Sequence, residues 1–141
     1  MYRLIDHTGD IGIEVKGENL QELFKDAISA LYSIFLDLKI LKKKGEEELI
    51  IEGKDLEEIL VETLNEIIYL FEVKKIIFID FKEFAIEENQ DKISLKSKMS
   101  YDVFDSTRHK ILGAGVKAAT YHNIVVKKEN DKYFARIIID V

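Results

Sequence analysis

Acidic groups near the end of the chain are of a type that could bind a metal ion. Asp140 and the α-carboxylate of Val141 place two carboxylates one residue apart, directly after three isoleucines. Asp10 belongs to a second polar segment, between two candidate strands. If Asp10 lies near Asp140, three oxygen groups converge, and such hard ligands favour calcium or magnesium over zinc or copper. The alternative is that these are ordinary solvated carboxylates, because most aspartates are exposed.

The remaining residue types give no catalytic or organic-cofactor site. The three histidines, His7, His109 and His122, are far apart in the sequence, and a single histidine is usually structural or solvated. The sequence has no G-x-S-x-G motif, no phosphate-binding glycine loop and no H-x-x-x-H pair. We therefore expect no catalytic residues. A metal-dependent hydrolase or nuclease that uses the same carboxylates stays open as the alternative.

Length and composition predict one domain, residues 1–141. The chain is 47% hydrophobic and 34% charged, which supplies both a core and a charged surface. No apolar run approaches the ~18 residues that a membrane-spanning helix needs, and the N-terminal residues do not form a signal-peptide pattern. The absence of cysteine excludes disulfides and thiolate metal sites. We expect a cytoplasmic protein with no membrane partner.

The charge balance bears on the kind of partner. The formal net charge is -6, and each short lysine cluster has acidic neighbours. Tight binding to RNA normally requires a basic face, because release of counterions drives the affinity. No tight direct binding of nucleic acid is therefore expected, and a protein or a cation is the more natural partner.

The first half of the chain predicts two helices among short strands. Apolar residues at helical spacing indicate a long amphipathic helix over residues 20–38, capped by Asn19. Asp55 caps a second helix, whose apolar stripe runs from Leu56 to Phe71. Strands are expected over residues 2–6, 10–16, 39–43 and 47–52.

The second half is predicted to be mostly strands. Residues 76–86 and 93–101 form a hairpin around a polar turn at 87–90, and a polar loop covers 105–109. Two further strands, 116–127 and 133–140, follow; the last is apolar on both faces, which predicts a central position in the sheet. This order favours an α+β fold, with two amphipathic helices packed on one face of a mostly antiparallel or mixed β-sheet.

Four blocks of sequence resemble the archease family. They are Asp6-His7-Thr8-Gly9-Asp10-Ile11, then Glu52-Gly53-Lys54-Asp55-Leu56-Glu57 with Leu64-Asn65-Glu66-Ile67-Ile68-Tyr69, then Val116-Lys117-Ala118-Ala119-Thr120-Tyr121-His122, and finally Ile139-Asp140-Val141. The blocks stand in family order and span nearly the whole chain. The sequence departs from the family pattern at Gly9, Thr63, Ala119 and Val141, and none of these changes removes a carboxylate.

The resemblance implies an accessory function. Archease proteins activate a tRNA-splicing RNA ligase by promoting its guanylylation and multiple turnover, and they have been linked to chaperone-like modulation of RNA-modifying enzymes. The family's metal site carries over onto Asp10, Asp140 and Val141, with calcium as the implied ion. His7 is given a neighbouring role, orienting Asp10. The ion could act on the partner's active site, or it could fix only this chain's own terminus.

Overall fold

The computed structural model describes residues 1–7, 9–113 and 115–141, and of His7 only the backbone. The two helices are α1, Leu20–Phe35, and α2, Leu56–Lys74. The nine strands of these residues are β1 Tyr2–His7, β2 Asp10–Gly17, β3 Leu36–Leu38, β4 Gly45–Gly53, β5 Ile76–Asn89, β6 Lys92–Val103, β7 His109–Ile111, β8 Ala118–Glu129 and β9 Lys132–Asp140. None of the described helices is long and apolar enough to cross a membrane.

The helices begin where the sequence predicts. The Asn19 side chain accepts a hydrogen bond from the backbone N–H of Glu22 at 2.8 Å, and Asp55 does the same for Glu58. Each cap satisfies one of the N–H groups that have no partner within the helix.

The strands form three antiparallel sheets. A four-stranded sheet has the order β1-β2-β9-β8, a three-stranded sheet has the order β4-β6-β5, and β3 pairs with β7 in a short ribbon. The α+β class with two helices and a mostly antiparallel arrangement is thus confirmed. β9 lies between β2 and β8, so its predicted central position is also confirmed.

Both helices contact both large sheets. α1 packs on β2 and β9 and also on β5, while α2 packs on β8 and on all three strands of the smaller sheet. This explains why α2 is buried around most of its circumference. Fully buried core side chains include Ile13, Leu23, Phe24, Ile28, Leu31, Ile59, Leu60, Leu64, Ile67, Ile77, Leu95 and Met99.

Two of the predicted elements are wrong around residues 36–43. The helix ends at Phe35 rather than at residue 38, because Leu36–Leu38 pairs with His109–Ile111 as a strand. No strand forms over 39–43. Backbone N–H groups in this segment make individual hydrogen bonds rather than a strand ladder. For example, the Lys42 N–H donates to the Asp102 side chain at 2.9 Å. These partners lie about 60 to 75 residues away, so local periodicity could not reveal them.

Other corrections concern boundaries. The β5–β6 turn lies at residues 90–91 rather than 87–90, because β5 continues to Asn89. The predicted polar loop over 105–109 ends earlier, since His109 begins β7, and the next strand begins at Ala118 rather than residue 116. The boundaries of a strand are the feature that a sequence pattern determines least, because a strand ends where pairing with its neighbouring strand ends.

Candidate metal centre at the end of the four-stranded sheet

Asp10 and Asp140 lie directly opposite one another at one end of the β2–β9 ladder. The register is fixed by the pairs Ile11–Ile139 and Ile13–Ile137, of which all but the half-buried Ile11 are fully buried, because a slip by one residue would turn these isoleucines out of the core. Directly opposed residues on antiparallel strands point to the same face, with Cβ atoms about 4.5–5.5 Å apart. The fold therefore brings together the two aspartates that the sequence singled out.

The two aspartates form a cross-strand pair of like charge. Like charges directly opposite on a sheet destabilise it. In addition, Oδ1 of Asp10 is buried and has no hydrogen-bond partner among the described residues. A buried carboxylate oxygen without a partner costs free energy that a bound cation would recover. This orphaned oxygen is the structural observation that fits a metal ligand.

The third candidate ligand is the α-carboxylate of Val141, which follows Asp140 directly and whose side chain is exposed. Among the residues that the structure describes, no group of three or more His, Cys, Asp or Glu side chains is arranged to hold a metal ion. Side chains thus provide two carboxylates, and an all-protein site of three oxygen groups requires the α-carboxylate. The donor set is hard and oxygen-only, which suits calcium or magnesium.

The neighbouring strand β8 holds Asp140 in place. Lys117 donates its backbone N–H to the carbonyl of Asp140 at 2.8 Å, and Ala118 lies opposite Asp140 in the ladder. The outer edge of β8 is in turn paired with a side chain. Asn65 of α2 accepts from the N–H of Ala119 at 2.8 Å and donates to its carbonyl at 3.1 Å.

The Asn65 amide thus makes the two hydrogen bonds that a neighbouring strand would make with Ala119 at this edge of the sheet. Sequence reasoning did not assign Asn65 a role, although the residue lies in one of the family-like blocks. The signal that could have found it is a short amide side chain within an otherwise largely buried helix.

The turn that precedes Asp10 is only partly described. The His7 backbone lies opposite Asp10 where β1 and β2 meet, but the His7 side chain and Thr8 lie outside the described part of the chain. The orienting role of His7 therefore stays a prediction. Gly9 has φ +78°, a left-handed conformation that glycine adopts without strain.

Beyond Thr120, β8 leaves the ladder and rejoins it at Val125. The excursion carries Tyr121, which is half exposed, beside carboxylates of α2. Partial burial, followed by the negative charges of Glu62 and Glu58, raises the pKa of Tyr121 to about 12. The phenol is therefore neutral at physiological pH and is not a base. His122, in the same excursion, is exposed.

His109 belongs to a different polar cluster, at the β3–β7 ribbon. The fully buried Asp102 carboxylate accepts two hydrogen bonds from the Arg108 guanidinium, at 2.5 and 3.1 Å. His109 Nδ1 accepts from the Asp105 N–H at 3.0 Å, which assigns the proton of the neutral ring to Nε2. That Nε2 lies 3.2 Å from Oδ2 of Asp102 and 3.2 Å from the carbonyl of Ile40.

Burial alone would raise the pKa of Asp102. The hydrogen bonds from Arg108 and from the backbone of Lys42 and Val103 outweigh this effect and hold the pKa well below its usual range. The carboxylate therefore stays ionised, and the cluster ties the segment around residues 40–42 to β6 and β7. This is a structural use of a buried acid, with every partner supplied by the protein.

Comparison with known proteins agrees with this fold. The sequence profile of the Archease protein family (MTH1598/TM1083) matches residues 2–141. The chain belongs to the archease family. It is 34% identical over 137 residues to protein archease of Pyrococcus furiosus, covering 96% of this chain and 95% of that protein. It is 36% identical over 141 residues to protein archease of Archaeoglobus fulgidus, covering 99% and 98%.

Two solved structures share the fold. The solution structure of Methanobacterium thermoautotrophicum protein 1598 has a TM-score of 0.81 at 24% identity and covers 99% of this chain and 98% of that one. The crystal structure of an archease from Thermotoga maritima, described as a possible chaperone, has a TM-score of 0.61 at 21% identity, with coverage of 100% and 98%. The α+β arrangement is therefore that of the archease family.

Proposed function

We propose that this chain is a non-catalytic accessory protein that activates a tRNA-splicing RNA ligase by promoting its guanylylation and multiple turnover. The observation that carries the proposal is the Asp10–Asp140 pair, with one buried oxygen that no described group satisfies. The position of this carboxylate pair at the end of a sheet, with Asp140 exposed, supports a role in contact with a partner. Membership of the archease family supports the choice of partner.

In this proposal a divalent cation, calcium or alternatively magnesium, is held by Asp10, Asp140 and the α-carboxylate of Val141. Such an ion supplies positive charge that screens phosphate oxygens when it is bound. The chain's own contribution is positional. The β2–β9 ladder aligns the two aspartates, and β8 with Asn65 fixes the backbone of Asp140.

The charge of the whole chain fits an accessory role. With a net charge of -6, the protein is not expected to hold RNA tightly, so the ligase would provide the grip on the substrate. We place the protein in the cytoplasm with that partner. The prediction that it has no membrane partner is part of the same proposal.

The deciding experiment mixes the protein with its cognate ligase. At substoichiometric amounts it should convert single-turnover RNA joining into multiple turnover and raise ligase guanylylation. Asp10→Ala and Asp140→Ala should remain folded but lose the stimulation, whereas the exposed Lys128→Gln should stimulate normally. If the unaltered protein changes neither guanylylation nor turnover, the proposal fails even where the protein binds calcium.

The same preparation tests the hydrolase alternative. Incubated alone with RNA or nucleotides and a divalent ion, the protein should show no turnover. Metal-dependent cleavage that disappears in Asp10→Ala would replace the accessory role with a hydrolase or nuclease.

A second candidate function is chaperone-like modulation of RNA-modifying enzymes. The observation that favours it is a group of exposed apolar side chains at the β3–β7 ribbon, which are Ile40, Leu41, Ile111 and Leu112. Exposed apolar side chains are a common feature of protein-contact surfaces. Binding of an apolar fluorescent dye by the native protein, reduced in Ile111→Ser, would support this function; absence of dye binding would oppose it.

A further inference from the structure

The face of the four-stranded sheet that points away from the helices carries a charged row across three strands. Arg3 of β1, Glu14 of β2 and Arg136 of β9 are consecutive partners in the ladder. Their neighbours along β2, Ile13 and Val15, are fully buried on the opposite, helix-facing side. Because side chains alternate along a strand, the charged row lies on the outer face.

Glu14 orients both arginines. Its Oε1 accepts from Arg3 Nε at 2.5 Å, and its Oε2 accepts from Arg136 Nε and Nη2 at 2.9 and 2.6 Å. The hydrogen bond from Arg136, followed by that from Arg3, holds the pKa of Glu14 below its usual value, so the carboxylate is ionised at neutral pH. Glu14 is 7% exposed, whereas the arginine side chains are 73% and 47% exposed.

The arginines retain donors for a ligand. A guanidinium has five N–H donors. Glu14 accepts one hydrogen bond from Arg3 and two from Arg136, and none of the described residues accepts from the remaining N–H groups. The buried carboxylate holds Arg3 at Nε and Arg136 along one edge of its guanidinium, and both arginine side chains are exposed enough to offer other N–H groups to a ligand. Fixed forks of this kind match the oxygens of phosphate.

The surroundings fit a phosphate attached to a flat apolar group. A cavity of about 490 Å³ is lined by both arginines, Lys16 and the ring of Phe134. A second cavity of about 610 Å³ shares Arg136 and is otherwise mostly apolar, with Ile5 and Ile138 among its lining residues. Volumes of this order are those of small-molecule sites.

The ring of Phe134 is already a platform for cations. The Arg136 guanidinium lies 5.8 Å and the Lys127 ammonium 5.4 Å from its centroid. Such rings also stack on nucleobases. Cations, an aromatic ring and an apolar floor thus occur together on one face of a chain whose net charge is negative.

We propose that this face binds a nucleotide, with its phosphates on Arg3, Arg136 and Lys16 and its base over the adjoining apolar surface. The nucleotide comes either from a free nucleoside triphosphate or from single-stranded RNA. Glu14 is the positioning residue. The residues assigned to the phosphates are separate from the candidate metal centre, because Glu14 is four residues from Asp10 along β2, about 13 Å away, whereas the apolar surface extends to Ile138, two residues from Asp140. Its existence does not depend on the proposed ligase activation.

The test titrates the protein with two fluorescent probes, labelled ATP and a labelled ten-nucleotide single-stranded RNA. The buffer has low salt and contains a chelator, so that no metal ion links a phosphate to the aspartates. The site is open to solvent, so we expect dissociation constants on the order of 10⁻⁴ M. These constants should rise as the salt concentration increases, because salt weakens binding to phosphate groups. Binding of ATP alone identifies the free nucleotide as the source, and binding of RNA alone identifies the strand; both outcomes support the site.

Matched variants locate the binding. Arg3→Gln should weaken it about tenfold, the effect of one charge-assisted contact, and Lys16→Gln, which lies outside the Glu14 hydrogen bonds, should weaken it less. Lys110→Gln removes the same charge from an exposed position on β7 and should change nothing. Binding of neither probe, or equal affinity in Arg3→Gln, Lys16→Gln and Lys110→Gln, would overturn the proposal.

Discussion

Asp102 and Asp10 both have carboxylate oxygens that are buried from solvent, but the two carboxylates differ in their hydrogen-bond partners. Asp102 is fully buried and accepts hydrogen bonds from Arg108, from the backbone of Lys42 and from its own following residue. Asp10 has a buried oxygen with no described partner, and its cross-strand neighbour is a second aspartate. The described residues satisfy the Asp102 carboxylate, whereas they leave Oδ1 of Asp10 without a partner.

The difference separates a structural acid from a candidate ligand. A buried charge is tolerated when it is paired and hydrogen-bonded. The Asp102 cluster meets this condition and joins β6 and β7 to the segment after β3. Within the described residues the Asp10–Asp140 pair does not meet it, because Oδ1 of Asp10 has no partner there, and in our proposal a cation fills that role. In the absence of metal, we therefore expect replacement of Asp102 by asparagine to lower the free energy of unfolding, and replacement of Asp10 to leave it unchanged or raise it slightly.

The largest effect is expected at Asp102. Asp102→Asn keeps the shape of the side chain but removes the buried counter-charge of the Arg108 guanidinium, whose side chain is 10% exposed, and leaves it only the partly exposed Asp105 carboxylate at 3.5 Å. Removing one partner of a buried ion pair is strongly destabilising, so the free energy of unfolding should fall by about 3 kcal/mol. Urea unfolding measures this. Asp91→Asn, the same change at an exposed turn, should have almost no effect, and equal stability of the two variants would refute the account.

The same cluster predicts a pH dependence. The pKa of Asp102 in the folded protein lies below its ordinary value of 3.8, so its stabilising contribution is complete above about pH 4 and is lost as the pH falls further. Urea unfolding at about pH 6 and about pH 3 should show a smaller loss of stability in Asp102→Asn than in the unaltered protein. An identical loss in both would mean that other acids account for the acid sensitivity.

Calcium binding should give the next largest effect. A ligand that binds only the folded state stabilises it by about 2.7 kcal/mol at a concentration one hundred times its dissociation constant. The melting temperature should therefore rise with calcium and fall back with a chelator. Asp10→Ala, Asp140→Ala and one residue added after Val141 should each weaken binding measured by calorimetry. Unchanged affinity in all three would show that the ligands are wrongly assigned.

Asn65 tests how the centre is held in place. Asn65→Ala removes two hydrogen bonds to Ala119 and leaves that part of the β8 edge unpaired. At about 0.5–1.5 kcal/mol per bond, the loss should be about 1–2 kcal/mol in urea unfolding. Calcium affinity should fall as well, because Ala119 is next to the residues that hold Asp140. Asn89→Ala, at the exposed end of β5, is the control. If Asn65→Ala and Asn89→Ala bind calcium with the same affinity, then Asn65 contributes to stability but does not help to hold the metal centre in place.

Much of this arrangement was predictable from local pattern, and the remainder depends on distant pairing. The two helix starts follow from Asn19 and Asp55, because a cap acts within three residues of itself. The central place of β9 follows from its consecutive isoleucines. The end of α1 at Phe35 does not follow, since Leu36–Leu38 is drawn into a strand by residues 109–111.

The same distinction holds for the candidate site. Asp10 and Asp140 could be named from residue type and from resemblance to a family, but their register required the complete ladder. An amide within a largely buried helix could have marked Asn65 as unusual, but its partner and that of Arg108 could not be predicted, because no pattern of spacing links α2 to an edge strand or a loop to β6. A side chain that makes a hydrogen bond or an ion pair with a residue distant in the sequence does not produce a periodic sequence pattern.

The smallest effect is the one that most directly tests the contrast between the two regions. In a chelator, Asp10→Asn removes one of two opposed negative charges and replaces an unsatisfied anionic group with a neutral one. Relief of like-charge repulsion across a sheet is worth about 0.2–1 kcal/mol, so the variant should be as stable as the unaltered protein or slightly more stable. Asp140→Asn is the matched change on the exposed partner, and it should behave in the same way. Adding calcium should reverse the order, because only the unaltered protein keeps both carboxylate ligands. Urea unfolding with and without calcium measures both states. If Asp10→Asn loses more than about 1 kcal/mol in the chelator, then Asp10 is satisfied by the protein as Asp102 is, and the distinction between a structural acid and a metal ligand does not hold.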